Sequence, residues 1–146
     1  MRILSFITLF VLVLSVIGCS SGPEPIDYGK DVCSHCKMGI SDSKYGAELV
    51  TGKGKVFKFD SAECMIDFLN EDKDKLNDSN ALFLVTDLAA PGELIDAKTA
   101  FFLHDREYQS PMGGNLAAFK TRMMADNNQQ SADAEIFTWE EVLVSR

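Results

Sequence analysis

The sequence predicts an α+β fold, two small ββα-containing units packed as one compact domain. Apolar residues alternate on either side of glycine-containing turns, as in short strands joined by loops. Segments with helix-capping residues and apolar positions at helical spacing follow them. The order strand, strand, helix then occurs twice along the chain.

The amino-terminal residues read as a targeting segment. Arg2 is the only charge ahead of a run from Ile3 to Ile17 that is apolar except for Ser5, Thr8 and Ser15. Such a run is short for a bilayer-spanning helix, which needs roughly 20 apolar residues, and it fits a secretory signal. Val16-Ile17-Gly18-Cys19 resembles the bacterial lipobox, with cleavage ahead of Cys19 and diacylglycerol on its thiol. The expected division is a lipoprotein signal peptide over 1–18, a tether over 19–27 and a folded domain over 28–146, with possible halves 28–78 and 79–146. Ser20 to Pro25 is expected to be loose. From these features the chain is expected in the cell envelope, on the extracytoplasmic side and anchored by lipid.

Tyr28 to Tyr45 is rich in Gly, Ser, Asp and Lys without sustained periodicity, and reads as an ordered loop. Ala47–Thr51 and Lys55–Phe59 flank Gly52-Lys53-Gly54 and read as a hairpin, with Phe57 and Phe59 on one face. Asp60-Ser61-Ala62-Glu63 has the spacing of a capping box, so a helix should run to about Asn70 with Met65, Ile66, Phe68 and Leu69 toward the core. A charged break over 71–78 precedes the second unit. There Ala81–Thr86 and Thr99–His104 read as strands, and 105–114 as a long loop. Asn115 is expected to cap a helix through Ala125, with Met123 and Met124 packed in the core. Asn127 to Asp133 reads as a flexible linker, and Thr138-Trp139-Glu140-Glu141 as a capping box for a terminal helix.

Charge narrows the partners. One of the 14 basic side chains is Arg2, so 13 remain beyond the signal against 22 acids, a formal charge of −9. That disfavours nucleic acid and favours cations and basic proteins. The chain is expected to be a monomer. Of the 4 cysteines, lipid on Cys19 leaves Cys33, Cys36 and Cys64, an odd number that leaves at least one thiol for a task other than a disulfide.

Asp31-Val32-Cys33-Ser34-His35-Cys36-Lys37-Met38-Gly39 concentrates the chemistry. Two thiols and a thioether this close favour soft cations, Cu(I) first among them. A zinc site, a redox dithiol and a structural disulfide are the alternatives. Zinc wants four Cys or His ligands, usually as two pairs, and only Cys64, His35 and His104 are left over. A thioredoxin-type dithiol would open a helix, yet Gly39, Ser41 and Asp42 follow. Met38 contributes little to thiol exchange or to zinc, but as a thioether it suits Cu(I); otherwise it fills an apolar gap. Cys64 lies in the first turn of the expected helix, where the macrodipole favours a thiolate, unless it is simply a buried thiol. His104, at the end of an apolar strand, reads as structural.

Three pieces in order resemble the NosL family: Asp31-x-Cys33-x-x-Cys36-x-Met38-Gly39, Phe59-Asp60-x-x-x-Cys64-Met65, and Ser110-Pro111-Met112-Gly113 leading to Ala118-Phe119. The lipobox agrees with that resemblance. It implies an anchored periplasmic lipoprotein that binds Cu(I) and delivers it to nitrous oxide reductase, with assembly factors, during assembly of that enzyme's copper centres in denitrification. It also implies a fold similar to organomercurial lyase, and a metallochaperone with no turnover of its own. By position, Cys36 and Met38 become leading copper ligands with Cys33 beside them; Cys64 and Met112 are second-rank, near the site or at the partner contact. Nothing carries over to His35. The rival function is a CxxC thiol-disulfide oxidoreductase of the cell envelope. Organomercurial cleavage, suggested by fold similarity alone, is a weaker rival.

Overall fold

The computed structural model describes residues 22–146, so the signal segment and Cys19 lie outside the described residues. Two antiparallel sheets form the frame. The first contains β1 (Ala47–Val50), β2 (Val56–Phe59), β3 (Leu82–Thr86) and β4 (Leu94–Asp96), in the order β2-β1-β3-β4. The second contains β5 (Phe101–His104), β6 (Leu116–Phe119) and β7 (Glu135–Phe137), in the order β6-β5-β7. Among the described residues four helices complete it: α1 (Ala62–Glu71), α2 (Lys73–Leu76), α3 (Arg122–Asn127) and α4 (Trp139–Ser145). This is the expected α+β arrangement with two small antiparallel sheets.

The first hairpin follows from its turn chemistry. Gly54 takes φ +80°, a conformation that costs glycine little, and its N–H donates to the Thr51 carbonyl. Ala47 then pairs with Phe59 and Leu49 with Phe57. That register puts Phe57 and Phe59 on one face, where both rings pack against Phe68 of α1 at 5.1 and 5.3 Å between centroids. Helix α1 runs close to its expected length, but its N-cap is Ser61, whose hydroxyl accepts from the Cys64 N–H. Asp60 is therefore not the cap, and Glu63 does not close a capping box. The Thr138 capping box of α4 forms as expected.

The second half departs further from expectation. The strand at Leu82–Thr86 does not open a second unit but pairs with β1 across the first sheet, Ala47 opposite Val85. The second ββα unit is instead β5, β6 and α3. Leu116–Phe119, expected to be helical, is a strand buried at every position and paired with β5. Asn115 does not cap a helix; it turns the chain at φ +56° into β6. The cap falls to Thr121, whose hydroxyl accepts from the Met124 N–H. Four consecutive buried residues carry no alternation, and helical and strand readings of such a run differ little. The two units then share a local pattern, Phe59-Asp60-Ser61 and Phe119-Lys120-Thr121, each with the hydroxyl residue as N-cap. In the short α3, Met123 is 68% exposed instead of packed, and only Ala125 is fully enclosed. The expected linker after α3 is tied down as well: the Asp105 carboxylate accepts from the amides of Gln130 and Ser131 and from the Ser131 hydroxyl.

The larger of two apolar clusters spans both sheets. Phe59, Cys64, Met65, Ile66 and Leu69 join Phe83, Phe102, Leu116 and Trp139 in it. Trp139 stands between Phe83 of the first sheet and Phe102 of the second, at 5.5 and 5.9 Å between ring centroids. Truncating that ring removes one of the contacts between the sheets and leaves a cavity, so Trp139→Ala should cost about 3–5 kcal/mol in chemical denaturation.

Glu63 adds a polar tie. Its carboxylate, fully buried on α1, accepts from the Ser110 hydroxyl and from the Leu116 N–H. The 110–114 loop, which carries Met112, is thereby fastened to the first turn of α1.

Candidate metal centre

The cysteine loop is a tight hairpin, not a helix start. The Cys33 N–H donates to the Met38 carbonyl at 2.8 Å, the Ile40 N–H to the Asp31 carbonyl at 2.9 Å, and Lys37 closes the turn at φ +66°. The Ser34 N–H donates to the Lys58 carbonyl at 2.7 Å, which clamps the hairpin tip to β2. From Lys58 the chain reaches Asp60 at the end of β2 and then Cys64 in the first turn of α1. Loop, strand end and helix start thus meet at one point.

At that point Cys33, Cys36, Cys64 and Asp60 each offer a ligand atom, and these atoms all lie within 4.8 Å of one another. All three thiols are free. Cys33 and Cys64 are fully enclosed and Asp60 is 2% exposed, whereas Cys36 is only partly covered. The Cys36 thiol donates to Asp60 Oδ2 at 3.4 Å. Asp60 Oδ1 is buried and has no hydrogen-bond partner among the described residues. A buried carboxylate oxygen left this way is unfavourable, and Glu48 Oε2 and Glu63 Oε2 are left the same way elsewhere in the domain.

The three thiols are electrostatically unlike. The Cys33 thiol is pulled down to about 6, chiefly because the neighbouring Cys64 thiol can donate toward its sulfur, and against the opposing effect of burial. Cys64 is pushed up, first because it is the donor in that pair and second because it is buried beside Asp60. Cys36 is also pushed up, mainly by burial. At neutral pH the cluster therefore holds one thiolate and two protonated thiols. A soft cation has one anionic sulfur waiting, and must displace the protons of any further thiol it recruits.

The residues singled out in the sequence are distributed unevenly. Cys33, Cys36 and Cys64 converge. Met38, two residues past Cys36, has its backbone inside the hairpin and its side chain 48% exposed. Met112 is 38% exposed in the loop that Glu63 fastens to α1. His35 faces Glu71 with Nδ1 3.7 Å from the carboxylate and is not among the converging atoms. His104 ends β5 with an exposed side chain. Asp60 is the residue that sequence reasoning missed, having assigned it to the helix cap. The signal was present: Ser61 alone suffices as a cap, so the acid ahead of it was left without a task.

A small α+β domain with three thiols converging on one point is the class of protein that this fold and site define. The chain belongs to the NosL family, whose profile matches residues 26–145. Among solved structures it is similar to the copper chaperone NosL from Shewanella denitrificans, with a TM-score of 0.71 and 20% sequence identity over 88% of this chain and 100% of that one. No curated protein matches the chain. The structural likeness establishes the fold, and family membership accords with the expectation of a protein that is not an enzyme. The family's fold and the thiol cluster together support copper binding.

Proposed function

We propose that this chain is a lipid-anchored, periplasm-facing metallochaperone that holds Cu(I) and passes it to an extracytoplasmic enzyme, with nitrous oxide reductase as the client. The observation that carries this reading is the convergence of Cys33, Cys36 and Cys64 on one point with the outermost of them, Cys36, still reachable from outside. Cys33, Cys36 and Met38 are the leading ligands in this reading. Cys64 completes the sulfur set from below, and Met112 stands as a further thioether on the rim.

Low coordination by sulfur suits a monovalent soft ion and disfavours harder ions, which want oxygen or imidazole. Asp60 is a hard donor, so its role is to hold the Cys36 thiol by accepting its hydrogen bond rather than to bind the ion. Two ligands buried in the core and one or two at the surface make an asymmetric site. A client thiol or thioether can replace the outer ligands one at a time, so that the ion changes hands without being released to water.

The oxidoreductase alternative fits less well. The thiol with the depressed pKa is the enclosed Cys33, while the reachable Cys36 is the one pushed up; a dithiol catalyst needs the reverse.

Two results would test the ligand set. Met38→Leu conserves volume at a half-exposed position, so it should weaken Cu(I) binding by about tenfold to a hundredfold and leave the Tm of the apo protein within a degree or two. A large loss of Tm with unchanged affinity would make Met38 a packing residue.

The pH dependence follows from the proton count. Binding through Cys33 and two protonated thiols expels two protons, so affinity should rise with pH by about tenfold per unit for each proton displaced. Below about 6 Cys33 is itself protonated, and the dependence should steepen by one further proton. Chelator competition at several pH values reads both slopes; an affinity flat across that range would remove the thiols from the ligand set.

A further inference from the structure

We propose that residues 24–28 are a fixed strap and not a free tether, so that lipid on Cys19 would seat the domain against the bilayer with its metal loop at the membrane side. This rests on the lipid-anchor reading of Cys19.

The strap is held at several points. The Glu24 N–H donates to Oε1 of Glu48, a fully buried carboxylate on β1. Lys58 Nζ donates to the Pro25 carbonyl at 2.8 Å and lies 3.8 Å from the Glu24 carboxylate. Ile26 is buried, and the Asp27 N–H donates to Asp31 Oδ2 at 2.8 Å. Gly46 shows how closely the strap lies on β1: a Cβ there would stand 2.8 Å from the Tyr28 hydroxyl and 2.9 Å from Ile26 Cδ1.

The same lysine reaches the metal loop. Lys58 Nζ also pairs with Asp31 at 2.9 Å, and its carbonyl accepts from the Ser34 N–H. One residue therefore touches the point where the chain leaves the domain and both the base and the tip of the cysteine hairpin. Exit point and metal loop share an edge.

Between Cys19 and Glu24 the chain advances five residues, which span at most about 18 Å when fully extended. A domain on so short a lead cannot turn its exit edge away from the lipid surface. Exchange at the cluster then takes place at the bilayer surface and favours partners that are themselves embedded in, or held on, the same membrane. A soluble partner would have to approach along the bilayer.

The test uses the lipidated full-length chain in phosphatidylcholine vesicles containing a low density of dansyl-headgroup lipid. Val32 is exposed on the metal loop, so Val32→Trp combined with Trp139→Phe puts the only indole there. Energy transfer to the labelled lipid should be strong at native length. It should fall several-fold when a flexible Gly-Ser spacer of about 20 residues is inserted after Ser21. Sedimentation with vesicles but equal transfer in both chains overturns the seating alone. A folded chain that does not sediment with vesicles overturns the anchor on Cys19 and the seating with it. In the same preparations the Glu24 amide should exchange at least about tenfold more slowly than in Glu48→Leu. A native-chain rate already equal to that of the variant overturns the strap.

Discussion

Replacing Cys36 by serine should lower the affinity for Cu(I) by at least about a thousandfold, roughly 4 kcal/mol, with little change in the stability of the apo protein. The asymmetry between those two effects comes from position. Cys36 is at the hairpin tip and only partly covered, and its one side-chain hydrogen bond, to Asp60, is one that a serine hydroxyl can also make. Exchanging sulfur for oxygen there leaves the packing alone and removes a soft donor, and it is the donor identity that Cu(I) reads. Cys33→Ser and Cys64→Ser should also lose affinity, but both replace thiols enclosed in the apolar core and should lose stability with it. Chelator competition on reduced protein, paired with thermal melts, separates the cases. Wild-type affinity in Cys36→Ser would overturn the ligand assignment.

Glu63→Ala should destabilise the domain by about 2–4 kcal/mol, a Tm loss of roughly 10 °C. The carboxylate is fully buried and serves two donors on the second unit, the Ser110 hydroxyl and the Leu116 N–H. Alanine leaves both donors buried and unpaired, which costs more than the bonds themselves contribute. A second consequence follows from chain order. Glu63 immediately precedes Cys64, and the loop it fastens carries Met112. Freeing that loop should therefore raise the proteolytic sensitivity of residues 110–114 while the cysteine hairpin, held by Lys58, stays protected. Glu63→Gln keeps an acceptor and should recover most of the loss. Equal destabilisation by both substitutions would make the negative charge, and not the pair of hydrogen bonds, the source of the effect.

The parts of the fold that local chemistry determines were legible. The first hairpin, its phenylalanine face and α1 follow from a glycine turn, period-two alternation and a hydroxyl cap close at hand in the chain. The second unit was harder because its strands lack that contrast. Leu116–Phe119 is enclosed on both faces and shows no alternation, and its pairing with β5 is fixed by contacts distant in sequence. Leu82–Thr86 was recognisable as a strand, but nothing in its own residues could say that it belongs beside β1.

The site divides the same way. Cys33 and Cys36 announce themselves by spacing, and Cys64 by its place in a helix's first turn. Their convergence, and the presence of Asp60 among them, depends on Lys58 clamping the hairpin to β2 immediately ahead of Asp60. That clamp uses a backbone carbonyl, which no residue type reveals.

Copper K-edge X-ray absorption on the reduced protein loaded with one equivalent of Cu(I) tests the central claim most directly. A low-coordinate shell made of sulfur is expected, reduced by one scatterer in Cys36→Ser. A shell of nitrogen and oxygen donors alone, or one unchanged by that substitution, would contradict it.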